Sequence, residues 1–164
     1  MKDLGKTKFC LGLQIEHLTN GIFIHQSTYT KKVLKRFYMD KSHPLSTPMI
    51  VRSLDINTEP FWPQEKDEEI LGDESPYLSA IGILMYLANN IRLDICFVIS
   101  LLARFNSCPT RRHWKGVKYI LRYLQGTIDM GLLYSNASKS ELIGFGYAGY
   151  LSDPHKFKSQ IAIY

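Results

Sequence analysis

Cysteine is scarce: Cys10, Cys96 and Cys108 are the three in a chain of 164 residues. They are odd in number and share no short spacing, so a disulfide framework is not expected and reduced, partly buried thiols are. No CxxC or HxxxH pair links them to His17, His25, His43, His113 or His155, and structural zinc sites are normally built from such close pairs. Long apolar runs are missing too. Residues 80–88 and 95–103 are the longest and fall short of the ~20 residues a spanning helix needs. The opening Met1-Lys2-Asp3-Leu4-Gly5 has no secretory apolar core. A soluble, intracellular, non-secreted chain with no membrane partner is expected.

Signatures of chemistry are equally thin. Neither GxGxxG nor GxxxxGK[ST] is present, so no glycine-rich loop cradles a phosphate. There is no GxSxG elbow and no evident Cys/His pairing for nucleophilic catalysis. Two-metal nucleases and polymerases need acids converging on ions ~4 Å apart. Asp3, Asp94, Glu141 and Asp153 fall in different elements, with no DD or DxD pair. Asp67-Glu68-Glu69 reads as a solvated run in an irregular segment. No catalytic residue and no metal ligand is assigned.

What is present is enough to fold. The chain is 45% hydrophobic and 21% charged, with a formal net charge of +5 that leans towards polyanionic partners. Phe9 to Glu16 alternates apolar and polar, as a half-buried strand does. Asn20-Gly21 offers the positive-φ pair of a tight hairpin, and Ile22-Phe23-Ile24-His25 returns. Ser27 or Thr28 can cap a helix to about Met39, with Tyr29, Val33, Leu34 and Phe37 on one face. From Asp40 to Ser75 periodicity vanishes among Pro44, Pro48, Pro60 and Pro63, predicting an extended connection. Helices return at Ser75-Pro76, with Tyr77, Ile81, Leu84, Met85 and Ala88 inward. The next runs from about Asp94 to Phe105, with Ile95, Val98, Leu101, Leu102 and Phe105 inward.

The clearest helix starts at Thr110, a capping residue after Pro109, and closes at Gly126. Trp114, Val117, Leu121 and Leu124 make its apolar face. Arg111, Lys115, Lys118 and Arg122 fall within ~60° of one another at ~100° per residue, a narrow basic stripe. Such a stripe either contacts phosphates or is a solvated surface. Strands follow at about Gly131–Tyr134 and Leu142–Tyr147, and a polar turn at Ser152-Asp153-Pro154 precedes the basic end.

Six ordered blocks carry a resemblance. The tail ELIGFGYAGYLSDPHKFKSQIAIY is similar to the first ribonuclease H strand of copia-type retrotransposon Pol polyproteins, close to LVGYADAGYLSDPHKxRSQTGY. MKDLG with FCLGLQIE, STPM, PYLSAIGILMYLA, LLARF and PTRRHWKGVKYILRYLQG match further blocks in the family's order. The resemblance implies an α+β fold. Residues 1–39 would hold the end of the polymerase palm, a primer-positioning hairpin and a first thumb-like helix. Residues 40–75 would be the extended connection, 76–126 the helical thumb or connection region, and 127–164 the first strands of a truncated ribonuclease H-like unit.

It further implies that Leu11, Gly12 and Ile15 belong to the primer-positioning hairpin. Arg111, Lys115, Lys118 and Arg122 would meet an RNA–DNA template–primer duplex, with the remainder of the Pol polyprotein as the other partner. The parent family uses magnesium at YVDD-type strands, and that motif is absent here. Tyr147 stands where the first ribonuclease H acid belongs, and a phenol is neutral at pH 7 and a poor magnesium ligand. Leu93 replaces the proline of an RPDI block, Asn90-Ile91 replace Cys-Thr, and Lys158, Ile161 and Ala162 depart from RSQTGY. The expectation is a catalytically inactive Pol fragment, or else a folded module that binds the duplex.

Overall fold

The computed structural model describes residues 5–49, 68–72 and 76–136, and the backbone of residues 146–153 and 158–163. The order is β1 (Phe9–Cys10), β2 (Leu13–Leu18), β3 (Gly21–His25), α1 (Ser27–Arg36), α2 (Tyr77–Asn90), a 3-10 turn (Leu93–Ile95), α3 (Cys96–Ala103), α4 (Arg111–Gly126), β4 (Gly131–Ser135), β5 (Gly146–Asp153) and β6 (Lys158–Ile163).

The four helices enclose the core. Leu34, Tyr77, Ala80, Ile81, Leu84, Leu87, Ile95, Val98, Ile99, Leu102, Val117, Ile120, Leu121 and Leu124 are all but sealed from solvent. Each fully buried leucine or isoleucine stabilises the body by about 1.5–3 kcal/mol relative to exposure. Met85, expected inward, is exposed, and Leu87 and Ala80 take the buried positions on α2. The helix is apolar almost all round, so its sequence could not rank its faces. Tyr77 donates to the Leu102 carbonyl at 2.8 Å, and burial pushes its phenol pKa up. Thr110 caps α4 in a reciprocal box with His113, whose ring stacks on Phe105 at 4.0 Å.

Strand β1 pairs with β2, β2 with β3, and β3 with β4, all antiparallel. Among the described residues no strand residue joins the helical core cluster, and hydrogen bonds tie the sheet to the body. Ser27 Oγ donates to the Ile128 carbonyl at 3.0 Å and lies 2.6 Å from His25 Nδ1. Thr28 N–H donates to Gln14 Oε1 at 2.7 Å.

Three local expectations change. Phe9 to Glu16 is two strands, because Leu11 (φ 48°) and Gly12 (φ 82°) form a two-residue turn. The second turn is Thr19-Asn20, neither with positive φ, and Gly21 is needed instead because a Cβ there would strike the backbone of Tyr134 and Ser135. No side chain caps α1: Gln26 sits at its N-cap, and the Ser27 hydroxyl is used on Ile128.

The strand expected at Gly131–Tyr134 does not turn back on its sequence neighbour. It crosses to β3, with Ile22 opposite Tyr134 and Ile24 opposite Leu132, so residues 131–135 fold onto the N-terminal hairpin. Strands β5 and β6 pair with each other, Tyr147 opposite Ala162. Residues 137–145 lie outside the described residues, and with them the expected start of the second strand at Leu142. Pro154 and most of the connection, residues 50–67 and 73–75, lie outside them too.

Candidate nucleic-acid interface

Two surfaces carry the residues singled out in the sequence. The first is the Leu11-Gly12 turn. A two-residue hairpin loop of this type needs positive φ at both central positions. Glycine adopts it freely, but a residue with a Cβ is strained there by about 1–2 kcal/mol. Packing does not offset this at Leu11, whose side chain is 87% exposed. Tyr86 on α2 meets the turn from behind, its Oη donating to the Leu11 carbonyl at 2.7 Å. Strained residues of this kind concentrate at functional sites. Ile15 lies further along β2, half-buried opposite Ile24, and donates to the Lys8 carbonyl at 2.8 Å.

Beside the turn lies an open groove of about 450 Å³, bordered by Lys6, Lys8, Phe9, Gln14, Glu16 and His17. Phe9 is 66% exposed. Two lysines and a free aromatic ring are the materials of a nucleic-acid contact, and sequence reading passed over them. The Lys-Thr-Lys-Phe run is the available signal, and the alternation from Phe9 to Glu16 masks it.

The second surface is α4. Arg111, Lys115 and Lys118 are exposed and Arg122 is half-buried, yet the four are not equivalent. Arg111 pairs with Glu69 at 3.4 Å. Arg122 Nε donates to the His43 carbonyl at 2.8 Å, where residues 43–45 run along the end of the helix. Lys118 Nζ stands 6.0 Å from the centre of the Trp114 ring, and Lys115 is simply exposed. The acidic run is not merely solvated. Glu68 makes a bidentate pair with part-buried Arg112, at 3.2 and 2.6 Å, and Leu71 N–H donates to the Pro109 carbonyl at 2.7 Å.

A third cluster joins the segment after α2 to the end of α4. Arg92 is 3% exposed. It reaches Asp94 through Nε at 3.0 Å and a terminal nitrogen at 2.8 Å, the Thr127 carbonyl at 3.0 Å and the Thr127 hydroxyl at 2.7 Å. It also lies 5.4 Å from the centre of the Tyr123 ring, and Tyr123 donates to Asp94 at 2.7 Å. Burial pushes the Asp94 carboxyl up, but the Arg92 guanidinium and Tyr123 hydroxyl outweigh it and hold the pKa below the usual range. Burial and then Asp94 raise the Tyr123 phenol. The Arg-x-Asp spacing in RLDI was the available signal for this cluster.

The magnesium implied by the resemblance does not fit these residues. Among the described residues no three metal-ligating side chains cluster, Asp94 is committed to Arg92 and Tyr123, and Glu68 to Arg112. Tyr147, which the resemblance sets at the family's acid position, lies in β5. No helix among the described residues is long and apolar enough to cross a membrane.

No protein-family model and no solved structure matches the chain. It is similar to the retrovirus-related Pol polyprotein from transposon TNT 1-94 of Nicotiana tabacum, 37% identical over 129 residues, which are 77% of this chain and 10% of that protein. It is 28% identical over 159 residues to the corresponding polyprotein from transposon RE2 of Arabidopsis thaliana, covering 97% of this chain and 10% of that one. A putative transposon Ty5-1 protein of Saccharomyces cerevisiae is 34% identical over 143 residues, 87% of this chain and 44% of that protein. The chain belongs to the copia-type retrotransposon Pol polyprotein family. It spans about a tenth of the length of the Pol polyproteins it matches.

Proposed function

We propose that this chain is the part of a Pol polyprotein reverse transcriptase that follows the polymerase active site and holds an RNA–DNA template–primer duplex, without catalytic activity of its own. The observation that carries this reading is the Leu11-Gly12 turn, strained and exposed at the position of the family's primer-positioning hairpin. Lys6, Lys8 and Phe9 border the same hairpin and supply cations and a stacking surface. Lys115 and Lys118 on α4 are the cations best placed to contact phosphates along the duplex. On this reading α2–α4 act as the thumb, and β5 and β6 are the first strands of a ribonuclease H-like unit. Tyr147 at its acid position leaves that unit without its first metal ligand.

Duplex binding followed by fluorescence anisotropy across salt tests the reading. Each phosphate neutralised adds about 0.9 to the slope of log K against log salt, so binding should weaken steeply between 50 and 200 mM. No binding at the lowest salt would refute it. Primer extension with magnesium should give no product, and measurable extension by the purified chain would overturn the claim of inactivity. A second reading, a free-standing duplex-binding module, is favoured by the exposure of Lys115 and Lys118. It expects the same affinity from this chain as from the longer polyprotein.

A further inference from the structure

The Leu11-Gly12 turn is tied to the helical body by a residue to which neither sequence motif nor family resemblance assigns a role. Tyr86 lies on α2, where its ring meets Tyr29 edge-on, with centroids 5.0 Å apart and planes at 68°. Its hydroxyl reaches the Leu11 carbonyl at 2.7 Å. The approach depends on Gly12, because a Cβ there would fall 2.6 Å from the Tyr86 oxygen. Glycine therefore serves twice, through its positive φ and through the space it leaves for the phenol.

The same helix buries Ala80, Leu84, Leu87 and Ala88 in the core shared with Val117, Ile120, Leu121 and Leu124 of α4. The hydroxyl of Tyr86 thus links the hairpin turn to the body that carries Lys115 and Lys118. At the turn, this bond engages the carbonyl of a leucine held at positive φ.

We propose that Tyr86 is a positioning residue: it fixes the direction of the Leu11-Gly12 turn relative to α4, so that the primer end and the duplex flank are held at a set spacing. This rests on the reading of the chain as the duplex-holding segment of the polyprotein. Removing the hydroxyl should free the turn without altering the cations on α4. End placement should then fail while the phosphate grip persists.

The test uses the full chain, its Tyr86→Phe and Gly12→Ala variants, and an RNA–DNA template–primer with a photoreactive nucleotide at the primer 3′ end. The unaltered chain should crosslink within residues 9–13. In Tyr86→Phe that crosslink should drop about fivefold and amide exchange at Leu11–Leu13 should quicken by about the same factor, the scale of one lost hydrogen bond. Duplex affinity and its salt slope should stay within about twofold, a separation that general destabilisation would not produce. Gly12→Ala, which crowds the same oxygen from within the turn itself, should lose the crosslink as well and stands in for that readout if Tyr86→Phe does not fold. An unchanged crosslink in both variants refutes the role of Tyr86. Duplex binding by the unaltered chain with no crosslink to the turn refutes it as well. No duplex binding by the unaltered chain refutes the function proposed above.

Discussion

Replacing Asp94 with asparagine removes the negative member of the Arg92 cluster at almost constant volume. Asp94 accepts two hydrogen bonds from Arg92 and one from Tyr123. Charge-assisted bonds contribute about 1.5–3 kcal/mol each, and leaving a buried charge without its partner costs about 3–5 kcal/mol. Two features reduce that figure. The Asp94 side chain keeps 27% of its exposure, and Arg92 retains both Thr127 oxygens. A loss of about 2–3 kcal/mol follows, against about 0–1 kcal/mol for a surface pair. Urea denaturation reads it directly, as a lower midpoint at unchanged slope.

The pH dependence gives a second check on the same residue. The native carboxyl binds its proton less readily than the ordinary value of 3.8, so unfolding in acid takes up a proton. The stability Asp94 adds is complete above the unfolded value and drains as pH falls through the native one. Asp94→Asn should therefore flatten the acid limb below about pH 4, where the unaltered chain loses stability. A change under 1 kcal/mol at neutral pH, or an acid limb as steep as before, would show that the cluster behaves as a surface pair.

Other perturbations address the interface and the sheet. Changing Lys115 and Lys118 together to glutamine should lower the salt slope of duplex binding by about 1.8, a loss of about tenfold in the affinity change between 50 and 200 mM. Arg111→Gln should change it less, because Glu69 already occupies that guanidinium. Gly131→Ala should part β3 from β4, since its Cβ would lie 2.5 Å from the Ile24 carbonyl oxygen and 2.8 Å from His25 Cβ. A cost of about 1–3 kcal/mol and faster amide exchange along residues 21–25 are expected. Gly82→Ala, in the middle of α2 with nothing within 4 Å, should instead stabilise by about 0.5–1 kcal/mol. Gln26→Met should raise the urea midpoint by about 1 kcal/mol equivalent, because the buried Gln26 amide has no partner among the described residues.

Local signals in the sequence were read well where one force acted alone. Thr110 after Pro109 and the spacing of Val117, Leu121 and Leu124 gave α4 its start and its buried face, because capping and helical period agree there. The Leu11-Gly12 turn was hidden because Phe9, Leu11, Leu13 and Ile15 alternate like one strand, and nothing in a period of two reveals a left-handed leucine. Strand β4 was visible as a strand, but its partner lies more than a hundred residues earlier in the chain, and pairing at that distance leaves no local trace. The ion pair between Glu68 and Arg112 was missed for the same reason. On the basic stripe, spacing showed that four cations share a face. It could not show that Glu69 and the His43 carbonyl each engage one of them.

That difference decides how the charge of the chain should be weighed. A net charge of +5 and a four-cation stripe suggest a strong polyanion site, and four phosphate contacts would give a salt slope near 3.6, or about 150-fold weakening between 50 and 200 mM. If Arg111 stays with Glu69 and Arg122 with the His43 carbonyl, contacts from Lys115 and Lys118 alone would give about tenfold. The shortfall must be made up elsewhere if the chain holds a duplex firmly, and Lys6 and Lys8 beside the Leu11-Gly12 turn are the cations available for it. A measured slope near 1.8 would confine phosphate contact to two sites, whereas one near 3.6 that falls by half when Lys6 and Lys8 become glutamine would place the hairpin and α4 on the same duplex.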